Sequence, residues 1–255
     1  MDDTDDENVE AKRRWPWFAA GGLLFVSAAL SAVSVYLLWL PCRGVMWDGT
    51  IFAPSGEKDI SDACLRRMDE GFPLVYFPQD VGLTPSASQV GGLAMVVAVA
   101  AWILLVLGLR LRAETTLIAL LAAIAPLIFA ILSWSAALNP GDKQEDYITG
   151  WLWIAVDVAA LVLYCILWWR NPALPRETLL GLGFVLWGAT SFGFAHLLVD
   201  FQTMVLFNEF NWDVPPGTGW LTVAVLVIAG AVAVWTGGRR RELPAESSPS
   251  RFAAQ

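Results

Sequence analysis

Histidine is almost absent from this chain, with His196 the only one. That excludes an HExxH site and any histidine-rich metal centre, since both need at least two imidazoles. Cysteine is scarce as well: there are three and no CxxC pair, so thiolate zinc sites and dithiol redox motifs have no footing. No GxSxG elbow and no phosphate-cradling glycine loop occurs. Charge is thin, at 16% of residues against about 25% in soluble domains. The acidic balance of −8 gives nucleic acid no basic footprint to bind, and neither a nucleic-acid partner nor a cofactor is expected. No internal repeat is visible, so an inverted-repeat transporter architecture has no positive support.

What the chain has in abundance is apolar residues, 56% of the total, and they fall into long runs. About 20 mainly apolar helical residues cross a bilayer core. Six stretches reach that length: 15–40, 91–109, 115–138, 149–169, 178–199 and 219–236. Within hydrocarbon every backbone donor and acceptor must be paired internally, and none of these stretches alternates polar with apolar residues, so helices are expected rather than barrel strands. The expected fold class is therefore all-α, a bundle of six transmembrane helices spanning residues 15–240, with the lipid bilayer as its first partner. The opening run is longer than the apolar core of a signal peptide and follows an acidic stretch, which favours a retained helix over a cleaved leader.

Basic flanks set the orientation, because Lys and Arg are retained on the cytoplasmic side. With the N-terminus inside, 11 of the 16 basic residues face the cytoplasm: Lys12, Arg13, Arg14, Arg110, Arg112, Arg170, Arg176, Arg239, Arg240, Arg241 and Arg251. Arg43, Lys58, Arg66, Arg67 and Lys143 fall outside. Both termini are thus expected in the cytoplasm of a cell whose plasma membrane holds the protein. Tryptophans mark the same borders, since their amphipathic rings suit headgroup depth. Trp15, Trp17, Trp168, Trp169 and Trp235 fall at the inner ends, and Trp39, Trp134, Trp151, Trp153, Trp212 and Trp220 near the outer ones. Residues 1–14 and 241–255 are polar and are expected to be disordered cytoplasmic tails.

The segment 41–90 is the only one long enough to carry soluble structure of its own. Ser61 is placed to cap a short helix there, with Ile60 stapling onto Leu65 and Gly71 closing the far end. Cys42 and Cys64 both lie in this extracytoplasmic loop, an oxidising setting in which a disulfide is expected over two free thiols. Closing that loop of about 22 residues stabilises it by roughly 3 kcal/mol in the chain-entropy model. A metal site there would need further ligands, and the loop holds no histidine. Cys165, inside the fourth run, is expected to be an inert packed thiol.

Membrane helices meet through small residues and a few polar contacts, because lipid offers no hydrophobic drive for pairing. Ser27, Ser31 and Ser34 on the first run, and Ala119, Ala122, Pro126, Ala130, Ser133 and Ala137 on the third, mark such contact faces. Pro126 is expected to kink its helix.

Ionisable residues inside hydrocarbon are costly and point to function. Asp157 lies in the fourth run, sharing a face with Ala160 and Tyr164; His196 and Asp200 lie four apart toward the outer end of the fifth. The link from Arg170 to Glu177 is short, so the two helices are expected to be antiparallel neighbours with Asp157 and His196 at similar depth. If the pair meets, it either carries protons or a cation from the outer side, or only holds two helices together. Three readings follow. The first is a non-enzymatic interaction or accessory protein that presents loop 41–90 to a protein partner or the cell envelope. The second is a proton or small-solute transporter using the Asp157 and His196 pair, with Asp200 as a further group, in a candidate intramembrane polar site that also includes Tyr164. The third is a membrane-embedded enzyme at the outer face, using Asp48, Asp59, Asp62, Asp69, Glu70 or Asp80.

Overall fold

The first apolar run folds as a helix, α1 (Asp3–Leu38). It begins at Asp3, upstream of the apolar run that opens at Trp15. At the other end Pro41 ends the α-helical ladder, because proline has no N–H to give the carbonyl four residues before it. A 3-10 turn, Leu40–Cys42, follows.

The computed structural model describes residues 3–42, 61–64, 87–109, 113–121, 123–124, 127–128, 131, 158, 161–162, 164–166, 168–169, 176–189 and 217–239. Among them the helices after α1 are α2 (Ala87–Leu109), α3 (Ala113–Leu121), α4 (Arg176–Ala189) and α5 (Trp220–Arg239). All regular structure among the described residues is helical. Three of the helices are long and apolar enough to cross a membrane: Arg14–Leu38, Gln89–Leu109 and Trp220–Gly238. These match the first, second and sixth expected spans. The third, fourth and fifth are described only in part, and the C-terminal segment 241–255 lies outside the described residues.

α1 is the centre of the described bundle, packing on α2 along one side and α5 along another. Its register against α2 is set by two of the three expected serines. Ser27 Oγ donates to the Ala94 carbonyl and Ser34 Oγ to the Ala87 carbonyl, both at 2.7 Å. One number rises as the other falls, so the helices are antiparallel. Ser31, between them, is equally buried, and its hydroxyl has no partner among the described residues. The stripe is a contact face, as its spacing implied.

Against α5 the approach is closer still. A Cβ placed on Gly21 would lie 3.0 Å from the Gly230 carbonyl oxygen and 2.6 Å from Val234 Cγ2. A Cβ on Gly230 would in turn lie 3.2 Å from the Gly21 carbonyl oxygen. Backbone meets backbone at this crossing, the way small residues let membrane helices pair. Trp17 then packs on Gly237 and Pro16 on Gly108, closing one end of the bundle. Around these contacts lies the core, with Leu24 and Ala28 of α1, Ala98, Trp102 and Leu105 of α2, and Leu226, Ala229 and Ala233 of α5.

Two tryptophans expected at headgroup depth, Trp17 and Trp39, are buried in this packing, whereas Trp15, Trp168, Trp169 and Trp235 are exposed. Trp102 is buried too, and its indole N–H donates to the Ala119 carbonyl at 2.8 Å, tying α3 to α2. Ala119 is buried at that contact. Pro126 itself lies outside the described residues, but the ladder already tightens nearby: the Ala123 N–H bonds to the Leu120 carbonyl, a three-residue step.

The Gly21 crossing makes a direct prediction. Gly21→Ala should lower stability by about 1–3 kcal/mol through overpacking, whereas Gly22→Ala, which meets open space, should leave it unchanged or slightly raised. Thermal unfolding of the two variants in detergent, followed by tryptophan fluorescence, distinguishes them; equal melting temperatures would show that the crossing is not tight.

Candidate functional site

The end of α1 away from Pro16 gathers the residues most plainly built into a site. Cys42, in the 3-10 turn, is bonded to Cys64 across a separation of 22 residues, with Cα atoms 4.8 Å apart. Both cysteines are buried. The expected pairing is present, and the local sequence shows why it is reachable. Ser61 opens the short helical turn 62–64: the Cys64 N–H is shared between the Ser61 carbonyl at 2.8 Å and the Ser61 Oγ at 3.2 Å. The same hydroxyl donates to the Pro41 carbonyl at 3.3 Å, and the Cys42 N–H bonds to the Trp39 carbonyl at 2.9 Å. Ser61 thus aims Cys64 at Cys42 while touching the chain beside it.

Next to this clasp, the buried Trp39 donates its indole N–H to the Thr218 carbonyl at 2.9 Å. Thr218 sits in the turn that opens α5, between Gly217 and Gly219, whose φ values of 95° and 111° favour glycine. The disulfide therefore stands over a joint between α1 and α5. Chemically, the described part of this cluster offers a disulfide, an indole and a hydroxyl, which position chain segments, and the Asp62 carboxylate. Asp62 is exposed there; Asp48, Asp59, Asp69, Glu70 and Asp80 lie outside the described residues. Ile60, Leu65 and Gly71, expected to staple and close the short helix, also lie outside them. Among the described residues no group of three or more His, Cys, Asp or Glu is placed to hold a metal.

Of the candidate intramembrane polar site only Tyr164 is among the described residues. Asp157, His196 and Asp200 lie outside the described residues. Tyr164 is half-buried and packs its ring on Gly183 of α4, where a Cβ would lie 2.9 Å from the ring carbons. Its other neighbour is Trp168, edge to face, with centroids 6.0 Å apart. The fourth and fifth runs are therefore neighbours, as the short link implied. Cys165 differs from expectation: it is exposed rather than packed. Residue 165 follows Tyr164 directly, and consecutive helical positions point about 100° apart, so burying the tyrosine turns the thiol outward.

Sequence reasoning missed the Trp39–Thr218 tie and the Gly21–Gly230 crossing. The Gly217-Thr218-Gly219 triplet and the glycines inside apolar runs were the available signals, but neither says which helix lies opposite. Comparison with protein-family models, with curated proteins and with solved structures gives no match for this chain.

The clasp predicts a thiol count. Denatured without reductant, the chain should take one maleimide–polyethylene glycol tag, at Cys165, and after reduction three, read as mobility steps on a gel. Replacing both Cys42 and Cys64 by Ser should cost about 3 kcal/mol. Three tags before reduction would remove the clasp.

Proposed function

We propose that the protein is a six-span plasma-membrane protein with both termini in the cytoplasm, and that it works as a non-enzymatic interaction or accessory protein. Its extracytoplasmic loop, residues 41–90, is the surface offered to a protein partner or the cell envelope. The observation that carries this reading is the clasp. Cys42–Cys64 and the Ser61 cap hold the loop's first part against the end of α1, and Trp39 holds that end to the turn before α5. A loop destined only to connect two spans needs no covalent tie; one that presents a surface gains from losing conformational freedom before binding. The distribution of Lys and Arg supports the orientation, and the apolar runs 115–138, 149–169 and 178–199 support three further crossings.

Copurification from mild detergent tests the reading. The full chain should retain a specific partner that is lost when residues 48–85 are deleted, with membrane insertion of the deleted form checked by protease protection. A chain recovered alone, or a partner retained by the deletion, would overturn it.

The packing of Tyr164 on Gly183 favours a second reading, because it supports the helix adjacency that an Asp157–His196 pair needs. In proteoliposomes a proton or solute flux carried by the native chain should fall at least tenfold in Asp157→Asn and in His196→Ala, on the order of the loss expected when a relay group is removed. Absence of flux under every gradient would end this alternative.

A further inference from the structure

Trp39 is the residue at which three segments of the chain meet. α1 has ended at Leu38, yet the Trp39 N–H still bonds to the Val35 carbonyl at 3.1 Å. Its own carbonyl accepts the Cys42 N–H at 2.9 Å, so the backbone passes there from the α ladder to the 3-10 turn. Its buried side chain crosses to α5 and donates to the Thr218 carbonyl. One residue thus carries a rung of α1, a bond of the clasp and the tie to α5.

The two sides of this junction differ in stiffness. On the loop side the clasp is closed covalently by Cys42–Cys64, and Ser61 Oγ adds its bond to the Pro41 carbonyl. On the α5 side the backbone bonds are longer. The Trp220 N–H reaches the Gly217 carbonyl at 3.2 Å and the Val223 N–H the Gly219 carbonyl at 3.4 Å, against about 2.9–3.0 Å for an ordinary amide bond. Gly217 and Gly219 stand at positive φ, and glycine resists backbone rotation least, so the turn has little stiffness of its own. The indole bond to Thr218, between them, is shorter than either, at 2.9 Å. The turn therefore leans on Trp39, and Trp39 leans on the clasp. Further along α5, about 16 Å beyond Gly219, Gly230 is fixed separately against Gly21.

We propose that Trp39 couples the loop to α5: when the clasp is opened or drawn aside, the opening turn of α5 loosens, while the Gly21–Gly230 crossing stays closed as a fixed point. A displaced Cys42 pulls on the Trp39 carbonyl that its N–H holds, and the indole on the same residue swings off the Thr218 carbonyl. The coupling is reciprocal, so whatever tightens the α5 turn tightens the clasp by the same free energy. Trp39 acts here as a positioning residue. The inference rests on loop 41–90 being the presented surface, which gives the coupling its input; the transmission itself requires no partner.

Hydrogen–deuterium exchange of the full chain in mild detergent, read at the Trp220 and Val223 amides, tests it. Opening the disulfide with dithiothreitol should speed exchange at both amides roughly fivefold, the equivalent of one neutral hydrogen bond. Amides 228–234, around the Gly230 crossing, should keep their rates. Trp39→Phe retains an apolar ring without the donor, and with its disulfide intact it should already exchange at the faster rate. Reduction should then add less than about twofold, the non-additivity of two groups acting through one path. Equal rates before and after reduction in the native chain overturn the proposal, and that comparison requires no variant to fold. A rise of the same size at 228–234 also overturns it, as general loosening. So does a rise on reducing Trp39→Phe as large as in the native chain, because the clasp would then act by another route. A chain recovered without a partner leaves these rates unaffected, so failure of the interaction reading and failure of the coupling are told apart.

Discussion

Where α1 crosses α5, the absence of a side chain at Gly21 and at Gly230 lets two backbones touch, and much of the described structure is arranged around that approach. Helices surrounded by hydrocarbon gain little from hiding apolar surface from one another, because lipid is as apolar as leucine. What holds them is dispersion at short range and the hydrogen bonds that short range permits. Once the Gly21 crossing sets the distance, Trp17 can close over Gly237 at one end and Trp39 can reach the Thr218 carbonyl at the other. Along its second face α1 uses a different device, serine hydroxyls donated to the carbonyls of α2. One helix thereby organises two neighbours through two kinds of small residue.

The two ends of α1 are finished differently. At the Trp39 end a disulfide, a capped turn and a buried indole bring four chain segments together: the end of α1, the 3-10 turn, the turn at 62–64 and the opening of α5. Covalent and polar ties of this kind limit motion. At the Pro16 end no disulfide is present among the described residues; the helices meet through proline, glycine and aromatic packing. The first end suits presentation of a fixed surface.

Much of this was legible in the residues themselves. Hydropathy periodicity identified helices, and the first, second and sixth apolar runs are long enough to cross, as their composition required. The Ser27, Ser31 and Ser34 spacing announced a buried face, and Ser61 announced a cap. These are local rules, set by 3.6 residues per turn and by the orphan donors at a helix start. The pairing of Cys42 with Cys64 could also be argued from topology, since two cysteines in one oxidising loop have few other choices. Local rules failed where charge and apolar character were read apart from neighbours. Cys165 turned outward because Tyr164 turned in.

By itself, then, the sequence determined that the chain is helical, where apolar runs begin and end, which α1 face is buried and which serine caps the turn before Cys64. Only the tertiary structure decided that Gly21 meets Gly230, that Trp39 and Trp17 are core residues rather than headgroup anchors, and that the disulfide stands over the α1–α5 joint. The physical reason is that helix formation depends on residues within a turn or two of each other. Which helix a glycine or an indole faces depends on positions about 180 to 220 residues away along the chain, and no local periodicity encodes that.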